Sequence, residues 1–401
     1  MTDVTHLRRT LGLGLLTLYG LGVTVGAGIY VLIGVTVAEA GAYAWISFLL
    51  AGVVVAFTAF SYAELSTRFP VSAGEAAYVD AGLGWPLLAQ IVGLSVALAG
   101  IVSASAVSIG ASAYLGELTG LPPFALLIVI VVGMGAVAWW GIMQSVAIAG
   151  VVTLIEIGGL FIVIGWGLGF SAQDGVTVSA LFPPLTGAHW GGIFSAALLA
   201  FFAFIGFEDM VNVAEEVKDP RRTMPLAIML TLGIALVLYV ATAIATLMAV
   251  PVDALAGSPR PLSLVFANAP VWLASAFLAI ATIATVNGVL IQIIMASRVL
   301  FGMANRGQLP KPLAQISTKT QTPAVATFVV TLMIAAFSLV LPIERLAEWT
   351  SQIVLAVFVI VNVALVGLKR HATDGDHFSV PLLVPLCGIV LSIGLLATRL
   401  L

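Results

Sequence analysis

Two apolar runs hold the residues best suited to chemistry: Gly22-Val23-Thr24-Val25-Gly26-Ala27-Gly28-Ile29-Tyr30 and Phe201-Phe202-Ala203-Phe204-Ile205-Gly206-Phe207-Glu208-Asp209. Each is hydrophobic enough to enter a bilayer, yet each carries glycine that weakens a helix near its middle. In hydrocarbon every backbone N–H and C=O needs a partner inside the protein, so an interrupted helix persists only where it is buried or lines a cavity. A helix that stops and restarts leaves free amides at the new N-terminus, which attract an anion, and free carbonyls at the broken end, which attract a cation. The first run predicts free amides near Gly26, Ala27 and Gly28, with the Thr24 hydroxyl beside them; the second predicts free carbonyls near Phe204, Ile205 and Gly206. The carboxylate and ammonium of one zwitterion fit this pair without a buried charged side chain, which points to an α-amino acid. Close helix packing is the competing account of either glycine run alone, but two interruptions at corresponding places in two halves of a chain favour a binding site.

Few ionisable residues lie deep in apolar sequence. Glu156 does, and Glu208 and Asp209 follow the second interruption. A carboxylate at that depth is costly and is a functional candidate by default, and desolvation favours its neutral, proton-carrying form. The alternatives are a carboxyl hydrogen-bonded to a neighbouring helix for Glu156, and a favourable charge at a helix N-terminus for Glu208 and Asp209. Of the aromatics around the second interruption, Phe204 and Phe207 are candidates to border the site, and Phe204 to occlude it. His6, His189, His371 and His377 fall outside the apolar runs, and Cys387 is the single cysteine. No metal-ligand spacing and no intramembrane catalytic histidine results, so neither metal nor cofactor is expected.

The elements that must position these residues follow from composition. Hydrophobic residues make up 61% of 401 positions, charged residues 8%, and mean hydropathy is +1.18; no soluble domain hides so much apolar surface. The chain reads as an all-α integral membrane protein, and the net charge of -3 with no basic patch argues against nucleic acid. Runs of about 20 residues occur at 11–34, 42–67, 86–115, 123–141, 146–169, 191–213, 226–249, 269–302, 323–341, 346–368 and 379–399. The basic residues near the N-terminus followed by an apolar run look superficially like a secretory signal, but the run is too long and is read as a retained first helix. A short interfacial helix fits between spans two and three, where Glu75 and Asp80 lie, a tight turn fits residues 140–144, and Glu64 could pair with Arg68 at i, i+4.

With the N-terminus inside, Arg8, Arg9, Arg68, Lys218, Arg221, Arg222, Arg298, Arg306, Lys311, Lys319, Lys369 and Arg370 are cytoplasmic, and Arg260, Arg345 and Arg399 are outside. That asymmetry matches the positive-inside rule. Five spans are an odd number, so a second unit opening at span six runs inverted to the first. The reading is one transporter domain: a first repeat over 11–170, a second over 191–368, and an accessory helix at 379–399.

Three motifs resemble the amino acid, polyamine and organocation superfamily. The first is Gly22 with Gly26-Ala27-Gly28-Ile29-Tyr30. The second runs from Phe201 through Gly206-Phe207-Glu208 to Glu215-Glu216-Val217-Lys218-Asp219-Pro220-Arg221-Arg222 and Pro225. The third is Ser297-Arg298-Val299-Leu300 through Asn305-Arg306-Gly307-Gln308-Leu309-Pro310-Lys311, followed by Thr322-Pro323. The resemblance implies a five-plus-five inverted-repeat core with discontinuous spans one and six, and alternating access for amino acids or related amines. It also implies substrate contacts at both interruptions and an aromatic gate at or near Phe204. Two departures stand out: Ala73-Gly74-Glu75-Ala76-Ala77-Tyr78 replaces a glycine- and tyrosine-rich run, and Glu156 stands where many relatives place lysine. Glu156 could carry a coupled proton, or help bind a cation such as sodium with the Gly22 carbonyl and the Thr282 or Thr285 hydroxyl. An amino acid permease in the cytoplasmic membrane is the leading expectation. A polyamine or organic cation carrier is the rival within transport, and a membrane-embedded enzyme or sensor is the different class.

Overall fold

The structure is a computed structural model that describes residues 9, 11–70, 74–140, 146–169, 175–184, 187–320, 322–370 and 377–398, without the side chains of Ala27, residues 146–149, Ala188, Asn212 and Glu215. His6, Arg8, Ala73, His371, Arg399 and most of the expected 140–144 turn lie outside the described residues. The helices are α1 (Leu13–Thr24), α2 (Ala27–Ala40), α3 (Ala44–Arg68), α4 (Gly74–Leu83), α5 (Pro86–Thr119), α6 (Pro123–Trp140) and α7 (Val146–Gly169). After them come α8 (Trp190–Phe201), α9 (Pro220–Ala249), α10 (Val252–Ala256), α11 (Val271–Asn305), α12 (Ala324–Val340), α13 (Ile343–Arg370) and α14 (Leu383–Ala397). No strand forms among the described residues; an isolated bridge joins Leu11 to Val217.

This is a multi-pass, all-α membrane protein. Each apolar run expected from the sequence is helical. Among the described residues eight helical stretches are long and apolar enough to cross a bilayer, one of them carrying α2 and α3 in succession, while α1, α12 and α14 are shorter apolar helices. Their outward faces are apolar, as at Phe124, Val237 and Val390, because lipid tails leave no reason to place polar atoms there. The helix expected between spans two and three is α4.

Both interruptions form, by different local means. α1 ends at Thr24 with the Val25 amide donating to the Leu21 carbonyl, and α2 begins after Gly26. α8 ends at Phe201, tightens to a 3-10 turn over Phe202–Phe204, and breaks at extended Ile205 and at Gly206 with φ +123°, a value that glycine adopts without a Cβ penalty. The chain restarts as a 3-10 segment, Phe207–Glu216, rather than the α-helix that hydropathy suggested.

The chain ahead of the first interruption is tied to the segment that follows the second. Leu11 N donates to the Glu216 carbonyl at 3.0 Å and Lys218 N to the Leu11 carbonyl at 2.8 Å, so the chain ahead of α1 is pinned to the end of the 207–216 segment. Nearby architecture rests on Glu64, fully buried in α3. Its Oε1 accepts from Arg68, as the spacing suggested, and its Oε2 accepts from Lys369 Nζ at 2.7 Å and Val380 N at 2.8 Å. One carboxylate thereby ties α3 to α13 and to the chain leading into α14. Asn362 of α13, bonded to Ser61 and Thr58 of α3, adds a second polar contact along the same seam.

Candidate functional site

The interruptions meet face to face. At Gly28 an added Cβ would come within 2.6 Å of the Ala203 Cα, and at Gly206 within 2.7 Å of the Val23 carbonyl oxygen. Glycine is what lets the two broken backbones approach so closely. Tyr239 of α9, which the sequence did not mark, holds them together: its buried hydroxyl lies 2.6 Å from the Thr24 carbonyl and 2.8 Å from the Ala203 carbonyl. One hydroxyl proton serves both acceptors, donating to one at a time.

Beside this junction lies a cleft of about 440 Å³, counted to its open mouth. Thr24, Gly26 and Gly28 form one wall; Phe202 and Ile205 form another; Ser103 of α5 and Gln292 of α11 close it. The start of α2 has no side-chain cap, so its first amides are available to an anion. Thr24 Oγ1 is buried with no hydrogen-bond partner among the described residues, and a Cβ on Gly26 would meet nothing closer than the Gly22 carbonyl at 3.7 Å. An open space bordered by free amides and an unpartnered hydroxyl suits a carboxylate. On the opposite wall no backbone donor among the described residues meets the Ile205 carbonyl, whereas the Gly206 carbonyl accepts from the Asp209 amide and the Ala203 carbonyl from Tyr239. Of the carbonyls expected to be free, Gly206 is therefore occupied.

The structure brings Thr24, Gly26, Gly28 and Ile205 to one cleft, with the Ala27 backbone in the first turn of α2. It places other expected residues elsewhere. Phe204, expected to occlude the site, packs its ring against Tyr239 at 5.0 Å between centroids and lies away from the cleft. The reason is the 3-10 turn: residues three apart share a face, so Phe202 and Ile205 line the cleft together and Phe204 points behind it. Phe207 is likewise removed, packed against Tyr62 and Phe358 at 5.6 and 5.5 Å. Glu208 Oε2 accepts from the Gly206 amide at 2.8 Å, which is the helix-start role weighed as its alternative, while its side chain also borders a second compartment.

Glu156 does not line the cleft. It is buried in α7, with its backbone carbonyl accepting from Tyr30 of α2 at 2.6 Å and Oε1 facing Asn287 Nδ2 of α11 at 3.4 Å. Oε2 has no partner among the described residues. The partner of Oε1, Asn287, precedes Gly288, which does line the cleft. Thr282 and Thr285 donate to carbonyls of their own helix one turn back.

The second compartment holds Glu75 of α4, Glu208 and Asp209. Burial pushes the Glu75 carboxyl above its ordinary range, against the opposing pull of hydrogen bonds to its own backbone and to Tyr62. Hydropathy and glycine spacing gave no sign that α4 reaches the 207–216 segment; the polar residues of an otherwise apolar linker were the one available signal.

The sequence pattern of the amino acid permease family matches residues 13–399. The branched-chain amino acid permease BcaP of Bacillus subtilis is 32% identical over 391 residues, covering 92% of this chain and 82% of that protein. The methylthioribose transporter of the same organism is 29% identical over 410 residues, covering 96% and 86%. A vacuolar cationic amino acid transporter of Arabidopsis thaliana, number 2, is 32% identical over 398 residues, covering 92% of this chain and 61% of its own length.

Proposed function

Because the chain belongs to the amino acid permease family, we propose that it is a secondary active transporter that moves amino acids across the cytoplasmic membrane by alternating access. It is a transporter and not an enzyme. The observation that carries the amino acid reading is the cleft between the two interruptions, which the uncapped start of α2, the unpartnered Thr24 and Ile205 border together. An α-carboxylate binds at the first wall and an α-ammonium at the second, each recognised by backbone. Phe202, on the shared face with Ile205, covers the bound molecule. Family alone does not set the substrate, since the relatives carry names as different as branched-chain amino acid and methylthioribose.

In this reading the chain crosses the membrane eleven times with its N-terminus in the cytoplasm, as its lysine and arginine distribution supports. Spans one to five and six to ten form the inverted pair, and α14 is accessory. The clasp of Leu11 with Glu216 and Lys218 then lies at the cytoplasmic face, where it makes α1 and the 207–216 segment move together as the inner path opens. Transport is coupled to protons through Glu156. The unpartnered Oε2 and the long Asn287 contact suit a carboxyl that gains and loses a proton, and Asn287 relays its state to the α11 wall of the cleft. The test is uptake by purified protein in liposomes against a panel of labelled amino acids and amines. Uptake of amino acids driven by an imposed pH gradient is expected; amine uptake without amino acid uptake overturns the reading.

A further inference from the structure

The third sequence motif, from Ser297 to Pro323, lines neither the cleft nor the compartment beside it. Most of it is the connection from α11 to α12. After α11 a 3-10 turn, Lys311–Ala314, packs against both helices. A closed turn follows, in which the Ser317 amide donates to the Thr322 carbonyl at 2.9 Å and the Thr320 amide to Ser317 Oγ at 3.2 Å. Thr322 Oγ1 donates to the Trp139 carbonyl at 2.7 Å, which fastens the connection to the end of α6.

This corner combines two kinds of surface. Arg306, Lys311 and Lys319 are exposed, and the sequence has no carboxylate between Asp253 and Glu344. None of the three cations makes an ion pair with a described residue. Beside them stand large apolar side chains: Trp140 is 77% exposed and Ile316, on the connection itself, 51%, with Trp139 also exposed. From this end α6 and α12 run packed together, with Val132 and Phe328 turned outward. Tryptophan is favoured where a bilayer meets water, and lysine stems can lie on apolar surface while their ammonium groups reach a headgroup. A soluble anion would leave the tryptophans and the apolar helix faces unused, and a neutral lipid would leave the cations unused. A lipid with a negative headgroup uses both.

We propose that the connection between α11 and α12 is a binding surface for anionic phospholipids. Arg306, Lys311 and Lys319 attract the phosphate, Trp139 and Trp140 lie at the level of the glycerol, and the acyl chains follow α6 and α12. This surface is separate from the cleft and holds whatever the cleft carries.

The test is quenching of tryptophan fluorescence in the full chain, in detergent micelles, by phosphatidylglycerol with brominated acyl chains, against phosphatidylcholine brominated in the same way. Wild type should bind phosphatidylglycerol about tenfold or more tighter. Lys311→Gln and Lys319→Gln should each weaken phosphatidylglycerol about fivefold and leave phosphatidylcholine unmoved, while Lys319→Arg keeps the preference. Arg222→Gln, which removes an exposed cation at the start of α9, should also keep it. Quenching should fall in the double variant Trp139→Phe/Trp140→Phe, and size-exclusion profiles report whether each variant is folded. Equal affinity of folded wild type for the two lipids overturns the proposal. A loss in Arg222→Gln as large as in the lysine variants reduces these cations to the general charge bias that orients the chain, and overturns it too. Undiminished quenching in the double tryptophan variant overturns the location, and displacement of the brominated lipid by equimolar glycerol phosphate overturns the lipid in favour of a soluble anion.

Discussion

Gly26 and Gly28 stand two residues apart on one interruption, and the structure separates their roles. At Gly28 a methyl group would lie 2.6 Å from the Ala203 Cα, about 1 Å inside ordinary carbon contact, and that atom is backbone. Gly28→Ala must push the two broken segments apart, with an overpacking cost of about 1–3 kcal/mol seen as a lower melting temperature. At Gly26 the nearest atom is the Gly22 carbonyl at 3.7 Å, so Gly26→Val projects its side chain into the cleft and stability should change by less than about 1 kcal/mol. Binding should suffer instead. A hydrogen bond to a charged group contributes about 1.5–3 kcal/mol, and exclusion of a carboxylate from two amides predicts about 10²- to 10⁴-fold weaker affinity. Fluorescence-detected size exclusion after heating gives the stability arm, and scintillation proximity binding gives the other. Wild-type affinity in a well-folded Gly26→Val protein would refute a carboxylate at the α2 amides. An undiminished melting temperature in Gly28→Ala would refute the close contact with Ala203.

Tyr239→Phe keeps the ring packing and removes the hydroxyl between Thr24 and Ala203; a loss of about 0.6–1.7 kcal/mol is expected for an intramembrane hydrogen bond, read as a fall in melting temperature. Phe202→Ala should weaken substrate binding, whereas Phe204→Ala should cost stability, about 3–5 kcal/mol for a buried phenylalanine, and the reverse pattern in paired binding and melting measurements would restore Phe204 as the gate. Glu156→Gln should lose the response of liposome uptake to an imposed pH gradient while retaining substrate exchange; a fully pH-driven glutamine variant would remove Glu156 from coupling, and sodium-dependent, pH-indifferent wild-type uptake would remove the proton.

The sequence by itself determined the solvent this protein lives in, the apolar runs that become helices, and the two places where helices break. Those are local properties. Hydropathy is summed over neighbours in the chain, and Gly206 announces a backbone angle that other residues resist. The i, i+4 pairing of Glu64 with Arg68 was legible for the same reason. What tertiary structure alone decided is which atoms share a space. The 3-10 tightening at Phe202–Phe204 turned Phe202 to the cleft and Phe204 to Tyr239, a rotation that apolar composition does not encode because both side chains are equally hydrophobic. The bond of Tyr239 to the Thr24 carbonyl, the reach of Lys369 to Glu64, and the meeting of Glu75 with Asp209 each join residues more than a hundred positions apart. Such pairs arise when helices close-pack, and a chain read in order carries no distance across that packing.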